Sequence, residues 1–325
     1  MDDDIVQINI LRPTAFDTFV GRANEKKLLK MMIESAKTRE DALEHILLYG
    51  PPGLGKTTLA MIIAKEMNTN IHITSAPSIT SKSDLASILM NLSSGDVLFI
   101  DEIHRLSPTI EEFLYPALED YVIDITMGKG LSANVVRIPL KKFTLIGATT
   151  KISNVSDPLR DRFGHLVHLD FYDTEEIKEI IKRSAKIMEL DVTDEIILAI
   201  ARRSRGTARV ANKILKIMRD YLTVTPDHLI TENTMNKIFD DIGIDDEGLE
   251  KMDRKILETI FYRFENKPVG LSTLVASMSE DRKTIEEYYE PHLIKKGFLQ
   301  KTTKGRIVTP KGILHLENNI SKKSI

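Results

Sequence analysis

A chain of 325 residues with 42% hydrophobic and 29% charged residues is large enough for two or three packed cores and too apolar to stay disordered. Its 45 Lys and Arg against 48 Asp and Glu leave a net charge of −3, so overall charge gives no argument for a nucleic-acid partner and has to be read by region. The absence of Cys excludes a disulfide framework, a thiolate metal site and a cysteine nucleophile. The acidic start at Asp2, Asp3 and Asp4 and the lack of any 18-residue apolar run predict a cytoplasmic protein with no membrane partner.

In chain order, the apolar runs His45–Tyr49, Val97–Ile100 and Phe143–Ala148, separated by stretches with helical spacing, predict buried parallel strands alternating with helices. Between the first strand and the helical stretch Leu59–Met67, Gly50–Thr58 reads GPPGLGKTT, a G-x-x-x-x-G-K-T loop in its strand–loop–helix context. Gly50, Gly53 and Gly55 let the backbone close around an anion at a helix N-terminus. Lys56 reaches the outer phosphates, Thr57 offers a hydroxyl to Mg²⁺, and Thr58 completes the motif. Phosphate binding with Mg²⁺ follows.

The second strand runs into VLFIDE at Val97–Glu102, two carboxylates at the strand edge where α/β sheets place ligands. Asp101 is expected to hold Mg²⁺ through water, and Glu102 to orient or deprotonate the attacking water. His104 has no partner at metal-ligand spacing and reads as a structural or coupling residue. The stretch Ile125–Ile138, with MGKG at its centre, reads as a hairpin. The third strand ends in GATT, where Thr149 is the expected ligand for the γ-phosphate or the lytic water. In DPLRDRFG at Asp157–Gly164, Arg160 and Arg162 are either ordinary surface ion pairs or, in a P-loop ATPase, arginine fingers.

From Phe171 to Asp246 the strand signal stops. Thr174–Met188, Asp194–Arg203, Arg209–Tyr221 and Thr231–Asp240 carry helical spacing with Thr or Asp caps, predicting a small helical domain. After a linker-like Asp245–Gly248, Met252–Phe264, Leu271–Met278 and Arg282–Ile294 read as helices, and Phe298–Lys301 with Arg306–Thr309 as a hairpin: a winged helix. The predicted domains are therefore residues 1–170, 171–246 and 247–325. The last carries 15 basic and 11 acidic residues against 30 and 37 in the rest, and Lys295–Ile325 alone holds eight basic residues and one acid, Glu317. A solvated tail and a nucleic-acid contact are both open to such a run.

The order of the P-loop, IDEIHRL, GATT, LRDRFG and SRGTARVAN (Ser204–Asn212), with the long matches at Val97–Tyr121 and Gly270–Gln300, closely resembles the RuvB family of AAA+ ATPases, Holliday-junction branch-migration motors. The resemblance covers roughly Leu11 to Leu316. It implies an α/β AAA+ domain with a parallel sheet, a helical lid and a C-terminal winged helix, assembled as an ATP-driven homo-hexameric ring, with Mg²⁺ as cofactor, on double-stranded DNA at Holliday junctions. It further implies an adenine pocket around Leu11, Arg12 and Tyr172, and nucleotide contacts at Glu119, Asp120 and Tyr121. Arg162 matches an arginine finger acting in trans, and Arg209 the sensor-2 arginine. The hairpin near Ile125–Ile138 matches a docking site for RuvA, with RuvC a further partner. Lys301 and Arg306 match DNA contacts of the wing. The chain departs from the family pattern at Lys301, where Arg is usual, at Ala208, where Pro is, and at Leu131 and Asn134, in place of a Pro and an Arg. Two rival functions remain beside the motor: a clamp-loader or replication-initiator ATPase, and a regulator that uses nucleotide as a switch.

Overall fold

The computed structural model describes residues 10–127, 134–224 and 230–323. The chain divides into two compact units, Met1–Glu189 with Thr207–Asn212, and Leu190–Gly206 with Lys213–Ile325.

In the first unit, helices and strands alternate: α1 (Ala23–Thr38), β1 (Ile46–Tyr49), α2 (Lys56–Met67), β2 (Ile71–Ser75), α3 (Lys82–Met90), β3 (Val97–Asp101) and α4 (Pro108–Glu119), then the antiparallel pair β4 (Val122–Met127) and β5 (Asn134–Pro139), then β6 (Thr144–Thr149), the short α5 (Asp157–Arg160), β7 (His165–His168) and α6 (Thr174–Ile187). Five strands form one sheet in the order β2-β3-β6-β1-β7, every neighbouring pair parallel. Residues Val97 to Ile100 and the whole of β6 are buried, as expected for central strands covered by helices on both faces. The register sets Tyr49 beside Thr149 and Ile100 beside Gly147. The P-loop after β1, the carboxylates after β3 and the polar end of β6 thus share the C-terminal edge of the sheet, where such sheets bind ligands.

The predicted hairpin is present as β4 paired with β5, Ile125 opposite Val136. Its tip, with most of MGKG and Leu131, lies outside the described residues, as does the side chain of Asn134.

The second unit contains α7 (Asp194–Arg203), most of α8 (Ala208–Val224) and α9 (Glu232–Ile242), followed by α10 (Lys251–Glu258), which continues through a π-helical turn at Thr259–Arg263, and α11 (Leu271–Met278). A further helical path runs from α12 (Arg282–Thr284) through a π turn at Ile285–Tyr289 to α13 (Glu290–Lys295). The wing is β8 (Leu299–Thr302) paired with β9 (Gly305–Val308), and α14 (Pro310–Lys323) closes the chain. Thr193 and Thr231 cap α7 and α9 by accepting from Ile196 and Thr234 N–H, the hydroxyl caps their sequence predicts. Leu257, Ile260, Leu274, Leu293, Phe298 and Val308 meet in one apolar core under the wing. Among the described residues no helix is long and apolar enough to cross a membrane.

Candidate nucleotide-binding site and wing

The P-loop is built by backbone that only its sequence permits. Gly50 (φ +140°) and Gly53 (φ +82°) occupy conformations L side chains rarely adopt. A Cβ at Gly50 would run into the Leu169 carbonyl oxygen, and one at Gly53 would sit 3.0 Å from Arg209 Cβ. Helix α2 begins at Lys56 with no side chain capping its N-terminus, so its first N–H groups are left for an anion, which the helix dipole favours. Lys56, 8% exposed, donates from Nζ to the Gly50 and Pro51 carbonyls at 2.7 and 2.9 Å. Burial pulls its pKa down to about 8, while Asp101 and Glu102 push it up and Arg209 pushes it down. An ammonium surrounded by loop carbonyls and α2's open N–H groups forms a cradle for phosphate oxygens. Thr57 in the first turn of α2 and Asp101 at the end of β3 are oxygen donors of the kind Mg²⁺ takes, and this donor set fits an ATP–Mg²⁺ ligand.

Glu102 leaves the strand in the left-handed region, φ +52°, with its N–H donating to Asp101 Oδ1 at 2.9 Å. The chain then winds a 3-10 turn over Ile103–Arg105. Arg209, beside Gly53 and within electrostatic reach of Lys56, lies at the loop. Leu11, Arg12 and Tyr172 also converge there: Arg12 Nη1 lies 3.6 Å from Met61 Sδ in α2, and Tyr172 donates its hydroxyl to the Leu54 carbonyl at 3.2 Å. Two arginines that no motif marks complete this corner. Arg22 stacks 4.5 Å from the Tyr172 ring centroid, and Arg183 donates to the carbonyls of Leu11 and Thr18 at 2.5 and 2.7 Å.

Three of the expected contacts have partners within the chain. Thr149 is fully buried; its Oγ1 accepts from Lys151 N–H at 2.9 Å and lies 2.8 Å from His104 Nδ1. Its hydroxyl is engaged by neighbouring elements of the chain. Glu119, Asp120 and Tyr121 do not join the P-loop. Helix α4 ends at Glu119, and Tyr121 packs edge-on to His45 and Phe143, which precede β1 and β6 at the opposite end of the sheet. Glu119 instead pairs with Arg162 at 2.8 Å. Arg162 also donates to the Pro158 carbonyl at 2.6 Å and lies 4.1 Å from the Tyr115 ring centroid, so it is held by contacts within its own chain. Arg160 makes the plain surface pair with Asp157, 2.7 Å.

The third of these contacts lies in the wing. Arg306, expected to meet DNA, is 7% exposed and donates through Nε and Nη2 to Glu290 at 2.5 and 3.0 Å. Its backbone also exchanges hydrogen bonds with Val269 at 2.9 and 3.0 Å. A bidentate partner in the helix behind the wing turns the side chain inward. Its cross-strand neighbour Lys301, with Lys304 at the turn, is exposed.

Three family models match in succession: the Holliday junction DNA helicase RuvB P-loop domain over residues 11–169, the RuvB AAA lid domain over residues 172–245 and the RuvB C-terminal winged helix domain over residues 246–317. The chain is 49% identical over 318 residues to the Holliday junction branch migration complex subunit RuvB of Thermotoga maritima, covering 98% of this chain and 95% of that protein. It is 48% identical over the same length to the subunit of Thermotoga petrophila. The solved structure described as the Thermotoga maritima RuvB Holliday junction branch migration motor superimposes with a TM-score of 0.84 at 48% identity, covering 95% of this chain and 98% of that one. With a P-loop domain on a parallel sheet, a helical lid and a winged helix in this order, the chain belongs to the RuvB family.

Proposed function

We propose that this protein is an ATP-driven DNA motor that moves the branches of Holliday junctions in recombination and repair, as a homo-hexameric ring on duplex DNA working with RuvA. The observation that carries the reading is the gathering of Lys56, Asp101, Glu102 and Arg209 around one sheet edge in a chain that continues into a winged helix. The names carried by the Thermotoga relatives support it.

In this reading the glycine loop and the α2 N–H groups hold the phosphates, Lys56 supplies positive charge to the outer ones, and Leu11, Arg12 and Tyr172 frame the base. Mg²⁺, held by Thr57 and through water by Asp101, would neutralise charge on the outer phosphates when bound. Glu102 orients the attacking water and takes its proton, and Arg209 contributes a second cation near the phosphates. Arg162, anchored on Glu119 and Tyr115 of its own subunit, is the finger for a neighbouring subunit's nucleotide, a contribution worth about 10³-fold or more in rate. The hairpin of β4 and β5 offers exposed Val135, at 65%, and Val136 to RuvA. Apolar side chains exposed on the hairpin support a partner surface and favour the motor over a loader or initiator. Lys301 and Lys304 hold DNA phosphates without reading bases.

The experiment is steady-state ATP hydrolysis and nucleotide binding by variants on duplex DNA. Lys56→Ala should lose both nucleotide affinity and turnover, whereas Glu102→Gln should keep affinity and lose turnover. Mixtures of Arg162→Ala and Glu102→Gln subunits should exceed the sum of the separate variants, because some interfaces then join an intact finger to an intact carboxylate. Normal turnover by Glu102→Gln would remove it as the base, and co-assembled mixtures that never exceed the sum would remove the trans finger.

A further inference from the structure

The 3-10 turn after β3 swings His104 across to the next strand of the sheet. Its side chain is 7% exposed, with Nε2 3.4 Å from Glu102 Oε2 and Nδ1 2.8 Å from Thr149 Oγ1. Several observations fix it there. Glu102 holds a left-handed backbone that a non-glycine residue keeps only when its surroundings impose it. Arg105 and Leu106 N–H close the turn onto the carbonyls of Glu102 and Ile103 at 2.8 and 3.1 Å. Ile103 is fully buried and anchors the turn. Thr149, in turn, is joined to the nucleotide loop, since its carbonyl accepts from Gly50 N–H at 3.2 Å.

The proton positions follow from what each group can do. An ionised carboxylate only accepts, so the nitrogen facing Glu102 is the one carrying hydrogen, and in a neutral imidazole Nδ1 is then an acceptor. Thr149, already accepting from Lys151 N–H, gives its hydroxyl proton to Nδ1. Hydrogen bonds therefore run from Lys151 N–H through Thr149 to His104, whose Nε2 approaches the Glu102 carboxylate to 3.4 Å, and Thr149 ties them to the first residue of the P-loop.

We propose that His104 is a positioning residue for ATP hydrolysis: it aims the Glu102 carboxylate and couples that aim, through Thr149, to the phosphate loop. The inference rests on Glu102 being the water-orienting carboxylate. A residue that acts by aiming Glu102 rather than by holding phosphate should, when lost, change turnover and leave nucleotide binding in place.

The test compares His104→Ala, His104→Gln, Thr149→Val and the His104→Ala/Thr149→Val pair in the assembled protein on duplex DNA, with kcat and KM for ATP measured beside affinity for a fluorescent ATP analogue. His104→Ala should lower kcat about tenfold, in the range of a lost positioning contact, with analogue affinity within about twofold. His104→Gln, whose amide N–H can face Glu102, should recover a large part of kcat. Thr149→Val should lower kcat in the same way, and the pair should be no worse than the poorer single variant, since both break one chain. Parent kcat in His104→Ala, parallel loss of kcat and analogue affinity, no recovery by Gln, or losses that multiply in the pair would each overturn the inference. Glu102→Gln run alongside separates the two readings. If it is inactive while His104→Ala behaves as parent, only the inference fails; if it turns over normally, the role of Glu102 fails and the inference with it.

Discussion

Arg306 and Lys301 face each other across the wing and carry the same charge, yet they do different work. The Arg306 guanidinium is buried against Glu290, so cutting it away leaves an unpaired carboxylate inside the domain, a change that costs on the order of 3–5 kcal/mol. Lys301 and Lys304 are exposed, and removing them costs little stability because solvated surface charges contribute little. Arg306→Ala should therefore lower the unfolding midpoint markedly. Lys301→Ala/Lys304→Ala should keep the parent midpoint and flatten the slope of log K against log salt for duplex binding by about 0.9 per lost phosphate contact, equally on unrelated sequences. Denaturation curves and fluorescence anisotropy on two scrambled duplexes check this. A parent-like salt slope in the lysine pair, or a strong preference of the parent for one duplex, would contradict phosphate holding by the wing. Sequence displays the charge of Arg306 but not its partner, which lies on another element 16 residues earlier.

At the scale of elements, the segment after α7 and the start of α10 are joined by a buried polar cluster. Arg205 (φ +55°) pairs with Asp253 and, at 3.3 Å, with Glu250, and lies 4.8 Å from the Tyr288 ring centroid. Burial pushes the Asp253 carboxyl up to about 6 against the pull of Arg205. Burial also drives His292 down to about 3, with Arg205 and Lys296 adding to the effect. The raised acid contributes stability that is full below about pH 4 and is lost as pH rises through about 6. The depressed histidine contributes stability that is full above about pH 6.5 and is lost as pH falls towards about 3. Between about pH 4 and 6 the two slopes oppose each other. Asp253→Asn removes one of them, so its stability relative to the parent should decline on acidification from pH 6 by up to about 1.4 kcal/mol per pH unit. Urea unfolding of both proteins from pH 4.5 to 7 measures the difference, and a pH-independent offset would contradict it. Neither shift is legible in sequence, since both depend on how deeply helices of separate motifs bury the groups. The legibility of strands follows the same logic. Central β3 and β6 are buried on both faces and read as unbroken apolar runs, whereas the edge strands β2 (IHITS) and β7 (HLVH) keep partly exposed polar positions and give no such signal. Helix α1 starts at Arg22 in the left-handed region without a capping side chain, which removes its local start signal. The P-loop, by contrast, is written in consecutive residues. The commitment of Thr149 to His104 spans two strands and emerges only from the register.

For the whole molecule, charge and fold divide the labour. Residues 247–325 carry the basic excess and the rest the acidic one, so the winged helix is the part suited to hold a polyanion while the sheet edge handles nucleotide. Arg162 pairs with Glu119 and stacks on Tyr115 of the same chain; if it serves a neighbouring subunit's nucleotide, as proposed, hydrolysis should depend on assembly. In the proposed function this turnover moves DNA at a junction. The decisive measurement is dissociation of a synthetic four-way junction by the protein with its cognate RuvA, with and without ATP and Mg²⁺, beside Glu102→Gln. The parent should separate the junction into duplex arms only when ATP is hydrolysed, and Glu102→Gln should bind the junction but leave it intact. A parent that hydrolyses ATP on the junction without separating it, or separation by Glu102→Gln at the parent rate, would contradict that function.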